Sequence, residues 1–174
     1  FADTAEFIMS VESEKTAVKL FRILSKDISA EVFAYLDADR QEAIVNSITD
    51  SEIAMLMDEL FVDDAVDFLE EVPANVVSRV LRNTDRETRE IINRFLEYPE
   101  NSAGSVMTIE MVELHDRLTV AEAITSIRRS GVDKETIYTC YVTKDRTLVG
   151  LVTVKDLLLA EDDDTLISDI MLTN

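Results

Sequence analysis

A chain of 174 residues can bury one large core or two small ones, and 47% hydrophobic with 30% charged residues is globular composition. Its 36 acids against 17 bases give a formal net charge of -19, which argues against nucleic acid and anionic lipid surfaces as partners and favours cations or basic surfaces. No apolar run approaches the length of a membrane span, no signal peptide is visible, and the single Cys140 excludes an internal disulfide and a cysteine-cluster zinc site, fitting a reducing compartment.

From Ser13 the chain falls into rows of twelve, beginning SEKTAVKLFRIL and SKDISAEVFAYL and ending DRETREIINRFL at Leu96. The first twelve residues fit an eighth row more loosely. The eighth column is apolar throughout: Leu20, Val32, Ile44, Leu56, Phe68, Val80, Ile92. Ser13, Ser25, Asp37, Thr49 and Asp85 in the first column are helix-capping types, and Thr49-x-x-Glu52 and Thr84-x-x-Glu87 read as capping boxes. Each row predicts a cap followed by about nine helical residues whose fifth, eighth, ninth and twelfth positions share one face. Helices this short must stack to be stable, so residues 1–98 predict an all-α superhelical stack of short antiparallel helices.

Within that stack, Gln41 to Ser78 carries ten carboxylates and no Lys or Arg. Its centre, Phe61 to Val72, is an amphipathic helix whose polar side is anionic. Asp63 and Asp67, one turn apart, are expected to point away from the apolar stripe. Glu70 and Glu71 extend the line and Asp64 flanks it. A solvated face is the plain reading, yet an ordinary exposed helix is laced with bases. Oxygen-only ligands without sulfur or imidazole suit a hard cation, and Mg2+ is often held by one or two carboxylates plus water. Asp63, Asp67, Asp64 and Glu59 are therefore the metal candidates.

Pro99 and Gly104 break the repeat, and 99–105 is read as a hinge. Beyond it, Met111–Leu114 predicts a short strand and Val120–Arg129 a helix opened by the capping box Thr119-x-x-Glu122 and stopped at Gly131. Ile137–Thr143 and Leu148–Val152 predict two further strands around the turn Lys144–Thr147, followed by a helix from Val154 to Ala160. The order β-α-β-β-α makes an α+β module. His115 stands alone and reads as structural, Cys140 as core, and Asp162–Asp164 as a solvated loop. No nucleophile–base pair or Gly-rich phosphate loop is present, so an enzyme is not expected.

Ser105-Val-Met-Thr108, Thr119-Val-Ala-Glu-Ala123 and Leu148-Val-Gly-Leu-Val-Thr-Val-Lys-Asp-Leu157 resemble a cystathionine-β-synthase (CBS) domain, and Ile167-Ser-Asp-Ile-Met171 resembles the opening of a second copy. Joined to an acidic helical array through Tyr98 to Thr108, the whole chain resembles the cytosolic part of the MgtE magnesium transporters. The resemblance divides it into a helical domain 1–98, a hinge 99–105, a CBS domain 106–165 and the start of a second CBS domain at 166–174, so the chain is expected to be a fragment. It implies a homodimer through the CBS domains, a transmembrane pore domain in the same polypeptide, a place at the cytoplasmic face of the membrane, and Mg2+ sensing that gates the pore by domain closure. The expected device is a set of cations bridging the acidic face to CBS or linker surfaces, without which repulsion opens the hinge. In CBS domains a Thr and an Asp placed like Thr153 and Asp156 often hold the ribose and phosphate region of an adenine nucleotide. The resemblance thus implies an ATP site with Tyr138 and Lys155 beside it. The bare residues read Thr153-x-x-Asp156 as a capping box. The competing functions are an acidic helical scaffold docking a basic protein, and a CBS module regulating a linked enzyme.

Overall fold

The structure, a computed structural model, describes residues 1–99 and 101–173. It contains two compact units, Phe1–Thr108 and Ile109–Asn174.

In the first unit the rows become helices α1 (Ala2–Ser10), α2 (Glu14–Arg22), α3 (Lys26–Ala34), α4 (Ala38–Ser47), α5 (Asp50–Glu59), α6 (Val62–Glu71), α7 (Ala74–Asn83) and α8 (Arg86–Phe95). Their N-caps stand at positions 1, 13, 25, 37, 49, 61, 73 and 85, a strict spacing of twelve. Even-numbered helices pack side by side in the order α2, α4, α6, α8, and odd-numbered ones in the order α1, α3, α5, α7. The stack is therefore two layers of short helices, as the period requires.

Between the layers lies the apolar stripe. The eighth column is buried from Val32 to Ile92, with Leu20 half-buried at the end. Phe33 sits at the centre, its ring 6.1 Å from that of Phe21 and 5.1 Å, edge-on, from that of Phe68. One aromatic side chain thus ties together helices 47 residues apart in sequence, from Phe21 to Phe68.

Helix ends are closed by two different means. Ser13, Asp37, Thr49 and Asp85 accept backbone N–H bonds at N-termini, and Thr49 with Glu52 forms the full reciprocal box. Ser25, Phe61 and Pro73 make no side-chain cap bond. The expected box at Thr84 and Glu87 does not form. Thr84 ends α7, buried with its hydroxyl donating to the Val80 carbonyl, and Asp85 one residue later takes the Glu87 and Thr88 amides. A carboxylate in the cap position outcompetes a hydroxyl already satisfied within the preceding helix.

C-termini are closed by long side chains from later rows. Arg40 donates to the Met9 and Val11 carbonyls at the end of α1, Gln41 to the Phe33 carbonyl in α3, and Arg79 to the Val45 and Ile48 carbonyls at the end of α4. These bonds satisfy carbonyls that a short helix cannot pair internally.

The stretch after α8 is compact. Tyr98 packs edge-on against Phe95 at 5.8 Å, the Ser102 amide bonds the Pro99 carbonyl, and a short 3-10 turn runs over Ala103–Ser105. A Cβ on Gly104 would stand 2.6 Å from the Tyr98 ring. The expected hinge residues thus fold back on the helical unit, whose core also takes Tyr98 and Met107.

The second unit is a three-stranded sheet with helices. Strand β1 (Val112–His115) pairs parallel with β2 (Thr139–Lys144), which pairs antiparallel with β3 (Thr147–Thr153). Helix α9 (Val120–Ser130) makes the crossover and α10 (Val154–Leu159) follows β3, giving the expected β-α-β-β-α order. Asp145 and Arg146, at φ 47° and 65°, form the two-residue hairpin turn between paired Lys144 and Thr147. Val112, Leu114, Cys140, Val142 and Val152 point to one face and are buried with Val120, Ala123 and Leu157. The last residues return to this unit. Leu172 exchanges two backbone bonds with Leu151, and Ile167 of α11 (Ile167–Ile170) is fully buried. Gly150 allows that return, because a Cβ there would meet the Leu172 carbonyl at 2.7 Å.

Candidate metal and nucleotide sites

The acidic stretch resolves into two helices of different electrostatic character. On α5 three of the four carboxylates are matched by bases from distant rows. Glu52 pairs with Arg22 at 2.7 Å, Asp50 with Arg79 at 2.9 Å, and Glu59 with Lys26 at 2.6 Å. Glu52 is further held by the Thr49 amide and hydroxyl, and these bonds with Arg22 keep its carboxyl below its ordinary value. Lys26 is shifted upward, chiefly by its hydrogen bond to Glu59. Glu59, one of the four metal candidates, is thus engaged by an ammonium. The bases absent from Gln41–Ser78 come from α2, the start of α3 and α7, brought in by the stacking. A window along the sequence could not show them, because Arg22 and Glu52 are 30 residues apart.

On α6 the remaining candidates divide. Asp67 is exposed, whereas Asp63 and Asp64 in the first turn are half-buried, with one Asp63 carboxylate oxygen shielded from solvent. The expectation that Asp63 points fully outward is corrected here. α6 has α3, α4 and α8 packed against it, so its first turn meets neighbours that a lone amphipathic helix would lack. Asp63 and Asp64 gain from the positive end of the helix dipole. Glu70 and Glu71 are exposed in the last turn, where the dipole is unfavourable to anions and no base is present. Among the described residues, Asp67, Glu70 and Glu71 have no ion pair.

Among the described residues no three acidic, histidine or cysteine side chains converge into a closed metal cage. The face offers one or two carboxylates at a time to water. That donor set fits a hydrated Mg2+ retaining most of its water, and does not fit a dehydrated ion.

The four nucleotide candidates gather at one end of the sheet. Tyr138 precedes β2, Thr153 ends β3, and Lys155 and Asp156 lie in the first turn of α10. Thr139 pairs with Thr153, and the Val154 amide donates to the Tyr138 carbonyl at 3.1 Å. Thr153 and Asp156 form the reciprocal capping box, and the Thr153 bonds hold the Asp156 carboxyl below its usual range. Tyr138 is 79% exposed and Lys155 is exposed as well. The end of the sheet therefore presents an open aromatic ring, a cation and a carboxylate, a donor set compatible with base stacking and phosphate pairing.

The MgtE intracellular N domain model matches residues 1–101, the whole helical array. The chain belongs to this family. An MgtE magnesium transporter of Thermus thermophilus is 32% identical over 154 residues, covering 86% of this chain and 34% of the relative. One from Bacillus subtilis is 24% identical over 168 residues, covering 96% of this chain and 37% of its own length. This MgtE chain spans about a third of the curated relatives it matches. Among solved structures, the cytosolic domain of the Mg2+ channel MgtE in complex with ATP superposes with a TM-score of 0.85 at 27% identity, covering 97% of this chain and 74% of the other. The soluble part of a magnesium transporter does so with a TM-score of 0.85 at 30% identity, over 96% and 66%. Both units thus share the fold of MgtE cytosolic regions. No helix among the described residues is long and apolar enough to cross a membrane.

Proposed function

We propose that this chain is the cytosolic regulatory part of a magnesium transporter and senses intracellular Mg2+ through the outer face of α6. The observation that carries the reading is the line Asp67, Glu70 and Glu71, without an ion pair among the described residues, on a helix of an MgtE N domain whose preceding helix α5 has three of its four carboxylates paired. A hydrated Mg2+ held between this face and a second acidic surface removes repulsion only in the state where the two surfaces meet. That differential affinity shifts the population toward the closed state and, through the covalent connection, toward a closed pore. Asp63 and Asp64 at the head of the same helix complete the acidic line. The weak affinity expected of one or two carboxylates matches a cation present at roughly millimolar level.

The same reading includes a pore domain in the same polypeptide, a homodimer formed through the α+β modules, and a place at the cytoplasmic side of the membrane. A structural relative carries ATP. The corresponding proposal here is that adenine nucleotide binds at Tyr138, Thr153, Lys155 and Asp156, with the ring for the base and the ammonium for phosphate. The relatives are transporters, and no catalytic role is assigned.

Small-angle scattering of the whole cytosolic portion, with and without Mg2+, tests the sensing. Compaction at millimolar Mg2+ that is absent in D67N/E70Q/E71Q is the expected result, and an unchanged radius of gyration would refute it. For the nucleotide, calorimetry with ATP on the same protein should give binding that is lost in D156A.

A further inference from the structure

The outer face of the even-numbered layer carries a charge pattern of which the Mg2+ reading uses only the acidic end. Row one places Lys15 and Lys19 in its third and seventh positions, on α2. Row five places Asp63 and Asp67 in the same two positions, on α6. Between them lies α4, which has Asp39 and the small Ala43 there, with Asn46 further along. Read across the layer, the outer face carries two lysines on α2, the exposed Asp39 with the half-buried Glu42 beside it on α4, and a continuous acidic line on α6.

Lys15 and Lys19 are exposed and stand one turn apart, so they repel one another. Among the described residues neither has an ion pair, although the chain has 36 acids. Several other bases of the unit are employed, Arg22 and Lys26 on α5 carboxylates and Arg40, Arg79 and Arg89 on backbone carbonyls, whereas Arg82 and Arg94, like the two lysines, have no ion pair among the described residues. A shallow groove of about 280 Å3 beside the two lysines is bounded by Val18 and by Ser47 of α4, so an incoming side chain has somewhere to lie.

We infer that the basic face of α2 docks the acidic face of α6 of a second copy of this chain. A two-fold axis passing over α4 would place α2 on the partner's α6 and α6 on the partner's α2, with the less densely charged α4 helices facing each other. This is the self-complementary contact that two-fold dimers use. The lysine spacing of four residues matches the spacing of Asp67 and Glu71, so two charges per helix can pair at once. Such a contact is electrostatic, steers association and weakens with salt. It competes with cations for Asp67, and is therefore a low-divalent state distinct from the Mg2+-held one.

The test uses the whole 174-residue chain, free of divalent cations and at low ionic strength. Isotope-labelled and unlabelled protein are mixed and treated with a zero-length carbodiimide, and the linked peptides are sequenced. Mixed-label links from Lys15 or Lys19 to Asp67, Glu70 or Glu71 are expected. With α4 between them, α2 and α6 of one molecule are roughly 16–20 Å apart, too far for such a link within a chain. Identifying the linked residues also excludes dimers formed through any other surface. In the second arm, read by sedimentation because the exchanged residues are themselves the linking groups, K15E/K19E alone and D67K/E70K alone should each associate at least about tenfold more weakly than the natural chain, while their mixture restores association and the links between α2 and α6. Absence of mixed-label links between these helices in the natural chain, or no association between α2 and α6 in the mixture of reversed variants, would overturn the proposal. Because no Mg2+ is present, failure here leaves the sensing reading standing, and loss of Mg2+ compaction leaves this one standing.

Discussion

Helices α5 and α6 are consecutive rows of one repeat, with four and five carboxylates, and yet they meet different fates in the fold. Asp50, Glu52 and Glu59 of α5 tie it into the stack, because Arg79, Arg22 and Lys26 reach them from other rows. Asp67, Glu70 and Glu71 of α6 have no ion pair among the described residues, and the two glutamates sit at the helix end where the dipole is also negative. Counting acids in a window therefore does not locate a cation site. The proposed site on α6 rests instead on a line of acids, Asp67, Glu70 and Glu71, that stay without an ion pair among the described residues once the chain has folded.

The comparison can be broken most forcefully at Arg79. This side chain serves α5 through Asp50 and α4 through the carbonyls of Val45 and Ile48. R79A should destabilise the helical unit by about 2–3 kcal/mol in urea denaturation, since half-buried carbonyls lose charged donors. A loss under half that size would show that α5 does not depend on imported bases.

Next in size is Glu52, which completes the α5 capping box and pairs with Arg22. E52Q should cost about 1 kcal/mol at neutral pH. Because the folded state lowers the Glu52 pKa, its contribution is present above the unfolded value near 4.5 and fades as pH falls through the folded value. The variant and the natural protein should therefore converge in stability on acidification. A constant gap down to pH 3 would contradict the assignment.

The smallest effect should come from α6 and have the opposite sign. Neutralising Glu70 and Glu71 as E70Q/E71Q removes repulsion without removing a bond, and should raise stability by a few tenths of a kcal/mol at low salt. A loss comparable to that of E52Q would mean that α6 is structurally committed as α5 is.

Much of this was legible in the sequence. The period of twelve, the buried eighth column and the Thr49 box follow from residue types alone, and so does the order of elements in the α+β module. What was illegible depends on tertiary neighbours. Phe61 and Pro73 begin helices without any capping side chain, placed there by the stack around them. The roles of Arg40, Gln41 and Arg79 at helix C-termini need partners 8 to 34 residues away, beyond any local pattern. Glu59 looked as available as Asp67 because Lys26 lies in a different row. The tight packing of the segment after α8, where a Cβ on Gly104 would stand 2.6 Å from the Tyr98 ring, exists only in three dimensions.

The most direct test of the central claim is the thermal unfolding of this chain in 0 to 20 mM Mg2+, compared among the natural sequence, the α6 variant D67N/E70Q/E71Q and the α5 variant E52Q/E59Q, with Ca2+-free buffer throughout (concentrations on the order of the expected millimolar affinity). The account predicts that Mg2+ raises the melting temperature of the natural chain and of the α5 variant, and leaves the α6 variant unmoved. An α6 variant that responds as the natural chain does would contradict it.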